Sequence, residues 1–263
     1  MVIRPIRPNP DQLETATCLA LPGVLIDLRE MRRFARRHQL RLRGVSGYTR
    51  FREARRFGID LLPPMSLDGV IVDVGANEGQ FAHALLAIAP SASIHAFEPE
   101  PATAARLRQR FAADRRVSVH EQAIAGSAGT ATLHVSANTV FSSLHAPLPA
   151  LGDHYPRGTE ITGVVTVETA TLDSVVSGPV AVLKVDVQGA ELAVLAGASG
   201  VLQRTTAVLM EISFAPHYEA EAPYGELHRT MLEAGFMLYG LAAPRRSVST
   251  QALLWADACY VRR

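Results

Sequence analysis

The stretch that most constrains the fold is residues 70–79, which read VIVDVGANEG. A continuous Val/Ile run of this length is typical of a strand covered on both faces, as in a parallel sheet flanked by helices. After Gly79, apolar residues recur at the spacing of an amphipathic helix, at Phe81, Ala84, Leu85 and Ile88. The sequence therefore predicts a buried strand, a tight glycine turn and a helix, where backbone N–H groups could face a polar ligand.

Strand and helix patterns alternate along the rest of the chain. Strands are predicted at residues 93–97, 117–120, 180–187, 207–214, 236–241 and 258–261. Proline in a first helical turn predicts a helix from Pro101, and further helices are predicted across 192–202 and at about 224–234. The face of the helix across 192–202 is expected on Leu192, Leu195, Ser199 and Leu202. This alternation predicts an α/β fold with a doubly wound sheet.

Two segments depart from this alternation. Residues 1–64 are predicted to form an arginine-rich, mainly helical N-terminal extension to a main domain of residues 65–263. Pro5, Pro8 and Pro10 indicate an irregular start, a helix is expected through about His38, and two prolines at 63–64 close the segment. Between residues 126 and 171, short strand-like pieces at 130–135 and 164–167 predict a β-rich insert that forms a wall or lid for a substrate.

The composition limits the class of protein to which the chain can belong. The chain of 263 residues is 48% hydrophobic and 19% charged, which excludes a disordered polypeptide. No apolar run approaches the ~18 to 20 residues of a membrane span, and the N-terminus lacks the pattern of a secretory leader. We therefore expect a cytoplasmic protein. Cys18 and Cys259 are expected to be buried free thiols, with a disulfide open if the chain ends meet.

Charge gives no general argument for a nucleic-acid partner, since the formal net charge is only +1. Ten arginines nevertheless fall between Arg32 and Arg56. We favour a solvated helix face paired with nearby acids over an electropositive surface for an anionic partner or membrane.

Polar residues follow the predicted strands at the edge where doubly wound sheets bind ligands, namely Asp73, Glu98, Gln122, Asp186 and Glu211. The glycine turn lacks the third glycine of the G-x-G-x-x-G fingerprint, so a pyrophosphate is a poor fit. Glu98 nevertheless follows Gly79 by nineteen residues, which is where a carboxylate holds a ribose diol. The pattern predicts a nucleoside ligand without a pyrophosphate.

This combination resembles the class I methyltransferases that use S-adenosylmethionine, and later motifs narrow the resemblance to the FkbM family. The matching blocks are DVGANEG at 73–79, FEP at 97–99, SSL at 142–144, TLD at 171–173, LKVDVQGAE at 183–191, EIS at 211–213 and ADA at 256–258. The Lys-x-Asp-x-Gln-Gly-x-Glu block is the most specific. The resemblance covers about residue 69 to the C-terminus and implies a Rossmann-like methyltransferase sheet with S-adenosylmethionine as its cofactor.

Roles in the cofactor site follow from the resemblance by position. It implies a cofactor-binding group made of Asp73, Gly75, Asn77, Gly79, Glu98, Gln122 and Ala123. The two glycines should let the backbone approach the methionine part, Glu98 should accept the ribose hydroxyls, and Gln122 and Ala123 should border the adenine. A plain tight turn is the alternative for the glycines. An exposed acid at a helix start is the alternative for Glu98.

Lys184 is the only lysine of the sequence and lies in an apolar strand, which indicates a use for a compact, titratable ammonium group. Lys184 and Asp186 are two residues apart and so share one face of the strand. We predict that Asp186 is the base or orienter of an attacking hydroxyl, that Lys184 sets its charge, and that Glu211 completes the catalytic cluster. The alternative is a buried ion pair that only holds the sheet. Glu211 and Asp186 together are too few ligands to assign a metal.

Histidines provide a second set of candidate bases, because the imidazole pKa lies close to neutral. His145, His154 and His217 fall in loops near the expected cleft, and we rank them below Asp186. His83, His95, His120, His134 and His228 lie in regular elements and are expected to be packing or surface residues.

The resemblance implies methylation of a small-molecule or glycan acceptor, most often at a hydroxyl of a sugar, a glycolipid or a secondary metabolite. Methylation of an amide or amine nitrogen stays open, as does a cofactor-binding scaffold without activity. A nucleotide-binding oxidoreductase is disfavoured by the missing glycine. The oligomeric state is also open, and a homodimer is one possibility.

Overall fold

The structure is a computed structural model that describes residues 18–21, 24–38, 40, 42 and 44–263. Its strands are β1 Cys18–Leu21, β2 Val24–Asp27, β3 Val70–Val74, β4 Ser93–Phe97, β5 Val117–His120, β6 Ala123–Ile124, β7 Gly129–Ser136, β8 Ile161–Ala170, β9 Val180–Val185, β10 Thr205–Ser213, β11 Phe236–Arg246 and β12 Leu253–Arg262. Its helices are α1 Leu28–Arg37, α2 Gly44–Arg56, α3 Gln80–Leu86, α4 Pro101–Arg110, α5 Pro149–His154, α6 Leu172–Val175, α7 Glu191–Ala196, α8 Ser199–Gln203 and α9 Tyr224–Glu233.

Seven strands form the central sheet, in the order β11-β12-β10-β9-β3-β4-β5. The five strands from β10 to β5 run parallel, and β12 pairs antiparallel with both β10 and β11. Strand order reverses at β3, which has β4 on one side and β9 on the other, and ligands bind at such switch points. The predicted α/β doubly wound sheet is confirmed.

Hydrophobic cores lie on both faces of the sheet, because successive side chains of a strand point to opposite faces. Ile71 packs on one face with residues of α1, α2, α3 and α4. Val72 and Val74 pack on the other face with residues of the helices from α6 to α9. The continuous apolar run of β3 reflects this double coverage, as the sequence predicted.

The N-terminal segment shares the first of these cores. Phe34 of α1 and Phe51 of α2 are buried beside Phe81 of α3. The segment also contains the two-stranded hairpin of β1 and β2, which the prediction of a helical extension omitted. The predicted irregular start at Pro5, Pro8 and Pro10 lies outside the described residues. The boundary between an extension and a main domain at residue 64 stays a prediction.

The insert forms a separate three-stranded sheet in the order β6-β8-β7. Its strands are longer than predicted, since β7 and β8 pair antiparallel from Gly129 to Ser136. Ile124 and Ala170 join it to the core on the side of α6 to α9.

Among the described residues, no helix combines the length and the apolar character that crossing a bilayer requires.

The prediction of a single helix across 192–202 is wrong, because the structure has two short helices there, and Ser199 at the start of the second is exposed. At Gly197 a Cβ atom would lie 2.1 Å from the carbonyl oxygen of Ala125, so the chain is in close contact there. The carboxylate of Asp173 then accepts the N–H groups of Gly200 and Val201 at the start of α8, at 2.9 and 2.7 Å. A side-chain cap of this kind starts a new helix.

Cys259 is a buried free thiol, and the side chain of Cys18 lies outside the described part.

Candidate active site

A cavity of about 410 Å³ opens at the carboxyl ends of the central strands. It follows consecutive strands of the sheet, because its wall contains Ala123 after β5, Glu98 after β4, Gly75 after β3, Asp186 after β9 and Glu211 on β10. Residues of the insert and of the loop between β10 and α9 complete the wall: Leu133, Thr139, Val140, Phe141, Ser142, Ser143, Leu144, Leu151, Tyr155, His217, Tyr218 and Glu221.

The glycine turn, residues 75–79, connects β3 to α3. Gly75 has φ 81°, and a Cβ atom there would lie 1.8 Å from the carbonyl oxygen of Asp186, so no other residue fits. Gly79 has φ 78° and does not line the cavity; its neighbours are the side chains of Phe111 and Leu107. Gly75 is therefore the turn glycine that adjoins the cavity, while Gly79 permits the close packing of α3 on α4.

The backbone N–H groups of the glycine turn face protein acceptors, which contradicts the expectation that they face a ligand. Each of the five groups is satisfied: Gly75 and Ala76 donate to Phe97 O at 3.0 Å, Asn77 to Glu98 Oε2 at 2.9 Å, Glu78 to Asn77 Oδ1 at 2.7 Å and Gly79 to Ala76 O at 2.8 Å. A ligand beside this turn must find its donors elsewhere.

Glu98 is buried, with 7% of its surface exposed, so the alternative of an exposed acid at a helix start is wrong. The cap of α4 is Glu100, whose carboxylate accepts the N–H groups of Ala102 and Thr103. Glu98 instead accepts the N–H of Asn77 on one oxygen and that of Glu100, at 2.9 Å, on the other. Burial raises the pKa of Glu98 to about 7, although these two bonds oppose the shift. Each oxygen keeps a lone pair for a further donor.

Lys184 joins two carboxylates beneath the cavity. Its register on β9 places it opposite Asp73 of β3, whose Oδ1 lies 3.7 Å from Nζ, and Nζ donates to Asp186 Oδ2 at 3.1 Å. Asp73 is fully buried and does not line the cavity, whereas the Asp186 side chain is 37% exposed. Burial raises the pKa of Asp73 to about 6 against the opposing charge of Lys184. Burial by itself lowers the pKa of Lys184, but Asp186 and Asp73 reverse this and raise it above its usual value.

Replacing Lys184 by methionine should destabilise the fold by about 3–5 kcal/mol at pH 8, because Asp73 would remain as an unpaired buried charge. The folded-state pKa of Asp73 lies above that of the unfolded chain, so the stability gained on its protonation is present at low pH and lost as pH rises through 6. Without Lys184 this loss grows, and urea unfolding should show a smaller effect of the substitution at pH 5.

The matched control removes both charges by combining Lys184→Met with Asp73→Asn. This double variant should recover part of the stability at pH 8 and should lose the pH dependence. Equal losses at pH 5 and pH 8 for Lys184→Met would show that Asp73 does not depend on its ion pair.

Asp186 is oriented from two sides. Gln188 Nε2 donates to Oδ1 at 2.8 Å while Lys184 holds Oδ2. Gln188 has φ 57°, and the loop that carries it is fixed by Glu191, whose Oε1 accepts the N–H groups of Val187 at 3.1 Å and Gly189 at 3.3 Å. The Lys-x-Asp-x-Gln-Gly-x-Glu block is thus one hydrogen-bonded unit that aims a carboxylate into the cavity.

Glu211 lies on β10 opposite Asp257 of β12 and lines the same cavity. Burial raises its pKa well above the usual value, and the nearby carboxylates of Asp186, Glu191 and Asp257 add to the shift. Burial likewise raises the pKa of Asp257 to about 6. A protonated Glu211 can donate a hydrogen bond into the cavity. Within the described ranges, no group of three or more His, Cys, Asp or Glu side chains is arranged to hold a metal ion.

Aromatic side chains close the wall on the side of the insert. Trp255 Nε1 of β12 donates to the hydroxyl of Tyr155, which follows α5. The Tyr218 hydroxyl lies 3.1 Å from both Phe141 O and Gln188 Oε1. His217 lines the cavity and is 3.0 Å from His154 through their ring nitrogens, and burial lowers its pKa, which favours neutral imidazole.

The structure brings most of the predicted site residues together. Seven of them line the cavity: Gly75, Asn77, Glu98, Ala123, Lys184, Asp186 and Glu211. Asp73, Gly79 and Gln122 do not line it. The sequence did not indicate several further wall residues, which include Arg56, Phe57, Phe141, Gln188, Tyr218, Glu221 and Trp255. Gln188 belongs to the Lys-x-Asp-x-Gln-Gly-x-Glu block, which could have indicated its role, whereas no local pattern marks the others.

Residues 73–238 match a family model described as the Methyltransferase FkbM domain. The chain belongs to this family. Its members use S-adenosylmethionine, and the predicted enzyme class and cofactor are confirmed.

Two relatives are similar in sequence. The 2-O-methyltransferase NoeI of Sinorhizobium fredii is 30% identical over 213 residues, which are 76% of this chain and 83% of that protein. The hexuronic acid methyltransferase AglP of Haloferax volcanii is 35% identical over 157 residues, which are 58% of this chain and 59% of that protein. A crystal structure of the methyltransferase FkbM from Methylobacillus flagellatus has 14% identity and a TM-score of 0.49, and the match covers 89% of this chain and 58% of that one.

The cavity fits the cofactor in its chemistry. Glu98 offers lone pairs at the end of β4, and the buried Ala123 and Ile124 provide an apolar surface after β5. A ribose diol at Glu98 and an adenine beside Ala123 would use neighbouring strand ends. The rest of the cofactor would extend over Gly75.

Proposed function

We propose that this enzyme transfers a methyl group from S-adenosylmethionine to a hydroxyl group of a sugar. The name of AglP, a hexuronic acid methyltransferase, supports a sugar acceptor, and the name of NoeI, a 2-O-methyltransferase, supports transfer to an oxygen. The cavity wall supports the same class, because aromatic faces with a few fixed polar groups are typical of sites that orient a small polar ligand.

The observation that carries the proposal is the fixed orientation of the Asp186 carboxylate in the cavity. Its carboxylate has a fixed orientation at the end of β9, is partly exposed to the cavity, and lies one strand away from the glycine turn. A hydroxyl that donates to Asp186 would be held in line for attack while the carboxylate accepts its proton. When bound, the cofactor supplies an electrophilic methyl group on a sulfonium.

Neighbouring residues support this role of Asp186. Lys184 stays a cation and Gln188 remains hydrogen-bonded, so the carboxylate does not turn away from the acceptor. Glu211 and Tyr218 would position other hydroxyls of the same sugar, since both lie at the cavity wall. The three predicted residues outside the wall would act indirectly. Asp73 would act through its ion pair with Lys184, Gly79 through the packing of α3, and Gln122 through its place after β5.

The acceptor class can be tested with purified protein and S-adenosylmethionine that carries a deuterated methyl group. We expect label in one O-methyl group of a glycoside or uronoside and an equal amount of S-adenosylhomocysteine, as measured by mass spectrometry and NMR. A matched acceptor with that hydroxyl replaced by hydrogen should take no label. Label in amine or amide acceptors alone would overturn the proposal, and binding of the cofactor without transfer to any acceptor would favour an inactive scaffold.

A further inference from the structure

The cavity wall contains a guanidinium group that no acceptor among the described residues uses. Arg56 is the last residue of α2, is exposed, and lines the cavity. Within the described part of the chain it has neither an ion pair nor a hydrogen bond, and its guanidinium carbon lies 6.0 Å from the centre of the Phe57 ring. Arg55, one residue earlier, is instead bound to Glu30 at 2.5 Å and to Asp60 at 3.2 Å.

Arg56 is the cation with spare hydrogen-bonding capacity among the described wall residues. Lys184 also carries a positive charge, but its ammonium group is shared between Asp73 and Asp186. His217 is favoured in its neutral form because burial lowers its pKa. An anionic group that enters this cavity therefore has one uncommitted positive partner in the described wall.

Arg56 reaches the cavity from the side of α3. The helix α2 packs against α3, and Phe57 contacts the same core as Phe81. Gly58 follows Phe57 directly and has the left-handed conformation, with φ 67°. A Cβ atom at Gly58 would lie 3.6 Å from Cβ of Asp257 on β12. The insert joins the core on the other face of the sheet. Arg56 lines the cavity together with Gly75, Gln80 and Phe81, from the face of the sheet that carries α3.

The carboxylate of a bound methyl donor would need a partner on this side of the cavity. With the ribose at Glu98 after β4, the amino-acid end of the donor would extend over Gly75 and the start of α3. The five N–H groups of the glycine turn already donate to protein acceptors and are not available to that carboxylate. A buried or half-buried carboxylate without donors is strongly disfavoured.

We propose that Arg56 binds the α-carboxylate of S-adenosylmethionine through its guanidinium group. A guanidinium matches a carboxylate with two parallel hydrogen bonds, and the end of α2 favours a cation at this position. The N-terminal segment, which lies outside the residues matched by the family model, thereby completes the cofactor site. This role rests on the proposed function in one respect, namely that the cavity binds this donor.

The test compares two ligands by isothermal titration calorimetry: S-adenosylhomocysteine, which has the carboxylate, and 5′-methylthioadenosine, which lacks the amino-acid end. Arg56→Ala should bind the first ligand about 10- to 100-fold more weakly, as expected for loss of a charge-assisted pair. Its affinity for the second ligand should equal that of the wild type, which also shows that the variant is folded. Arg56→Lys should lose less, because it keeps the charge without the paired geometry.

Arg52→Ala is the matched control, because Arg52 is exposed on the same helix and does not line the cavity. It should bind both ligands like the wild type. Unchanged affinity of Arg56→Ala for S-adenosylhomocysteine would overturn the role of Arg56 and leave the proposed function intact, and a raised KM for the acceptor would then assign the guanidinium to the acceptor. Equal losses for both ligands would also overturn it. Failure of the wild type to bind either ligand would overturn the proposed function itself.

Discussion

Replacing Glu98 by alanine should weaken binding of S-adenosylmethionine by at least about 100-fold, because a carboxylate that accepts two ribose hydroxyls makes two charge-assisted hydrogen bonds of ~1.5–3 kcal/mol each. The substitution also leaves the N–H groups of Asn77 and Glu100 without their acceptors, which loosens the glycine turn. Calorimetric titration with the cofactor and with S-adenosylhomocysteine measures the loss.

Glu100→Ala is the matched control for this prediction. Glu100 caps α4 and does not line the cavity, so its loss should lower stability by ~1 kcal/mol and leave cofactor affinity within about twofold. Unchanged affinity in Glu98→Ala would remove the ribose assignment.

The same assignment predicts a pH dependence of cofactor affinity. Burial raises the pKa of Glu98 to about 7, and the ionised form is the better acceptor of ribose hydroxyls. Affinity should therefore fall about tenfold from pH 8 to pH 6, as the ionised fraction falls. Glu98→Gln, which cannot ionise, should bind weakly and with little change across this range. A flat profile in the wild type would show that the charge of Glu98 does not matter to binding.

Replacing Asp186 by alanine should lower kcat by ~10² to 10⁴-fold, the usual contribution of a positioned general base, while the dissociation constant for S-adenosylmethionine stays within about threefold. The reason for this separation is the position of Asp186 at the end of β9, two strands from Glu98 in the sheet. Steady-state kinetics with the acceptor and calorimetry with the cofactor measure the two quantities on the same preparation.

Asp257→Asn tests whether the loss of any carboxylate near Lys184 lowers kcat as the loss of Asp186 does. Asp257 acts on the charge of Lys184 but does not line the cavity, so this variant should keep kcat within a few-fold. If Asp186→Ala lost cofactor binding and thermal stability together, the ion pair with Lys184 would be structural. If it kept most of its activity, His217, which lines the same cavity as neutral imidazole, would become the candidate base.

The fold was largely predictable because its signals are local. The apolar run of β3, the helical spacing after Gly79 and the first-turn Pro101 each depend on neighbours a few residues away, and each element formed where expected. The same holds for the polar residues at strand ends, since parallel strands bring their carboxyl ends to one edge. The single helix across 192–202 was mispredicted because a distant residue, Asp173, accepts the N–H groups at the start of its second half.

Contacts that join distant parts of the chain left no local pattern. Tyr155 and Trp255 meet across 100 residues of sequence, and Arg56 comes from a segment that composition alone indicated to be a solvated helix face. The turn N–H groups illustrate the same point, because their acceptors belong partly to Phe97 and Glu98 of the next strand.

The sequence by itself determined the alternation of strands and helices, the family motifs and the chemistry at the strand ends, because period, turn residues and motif spacing are properties of short segments. The tertiary structure alone decided which of these side chains reach the cavity: Asp73 lies beneath it, Gly79 packs against α4, and Arg56 stands in its wall. Burial, pairing and pKa depend on what folding brings alongside a residue, and that is set by the packing of the whole sheet.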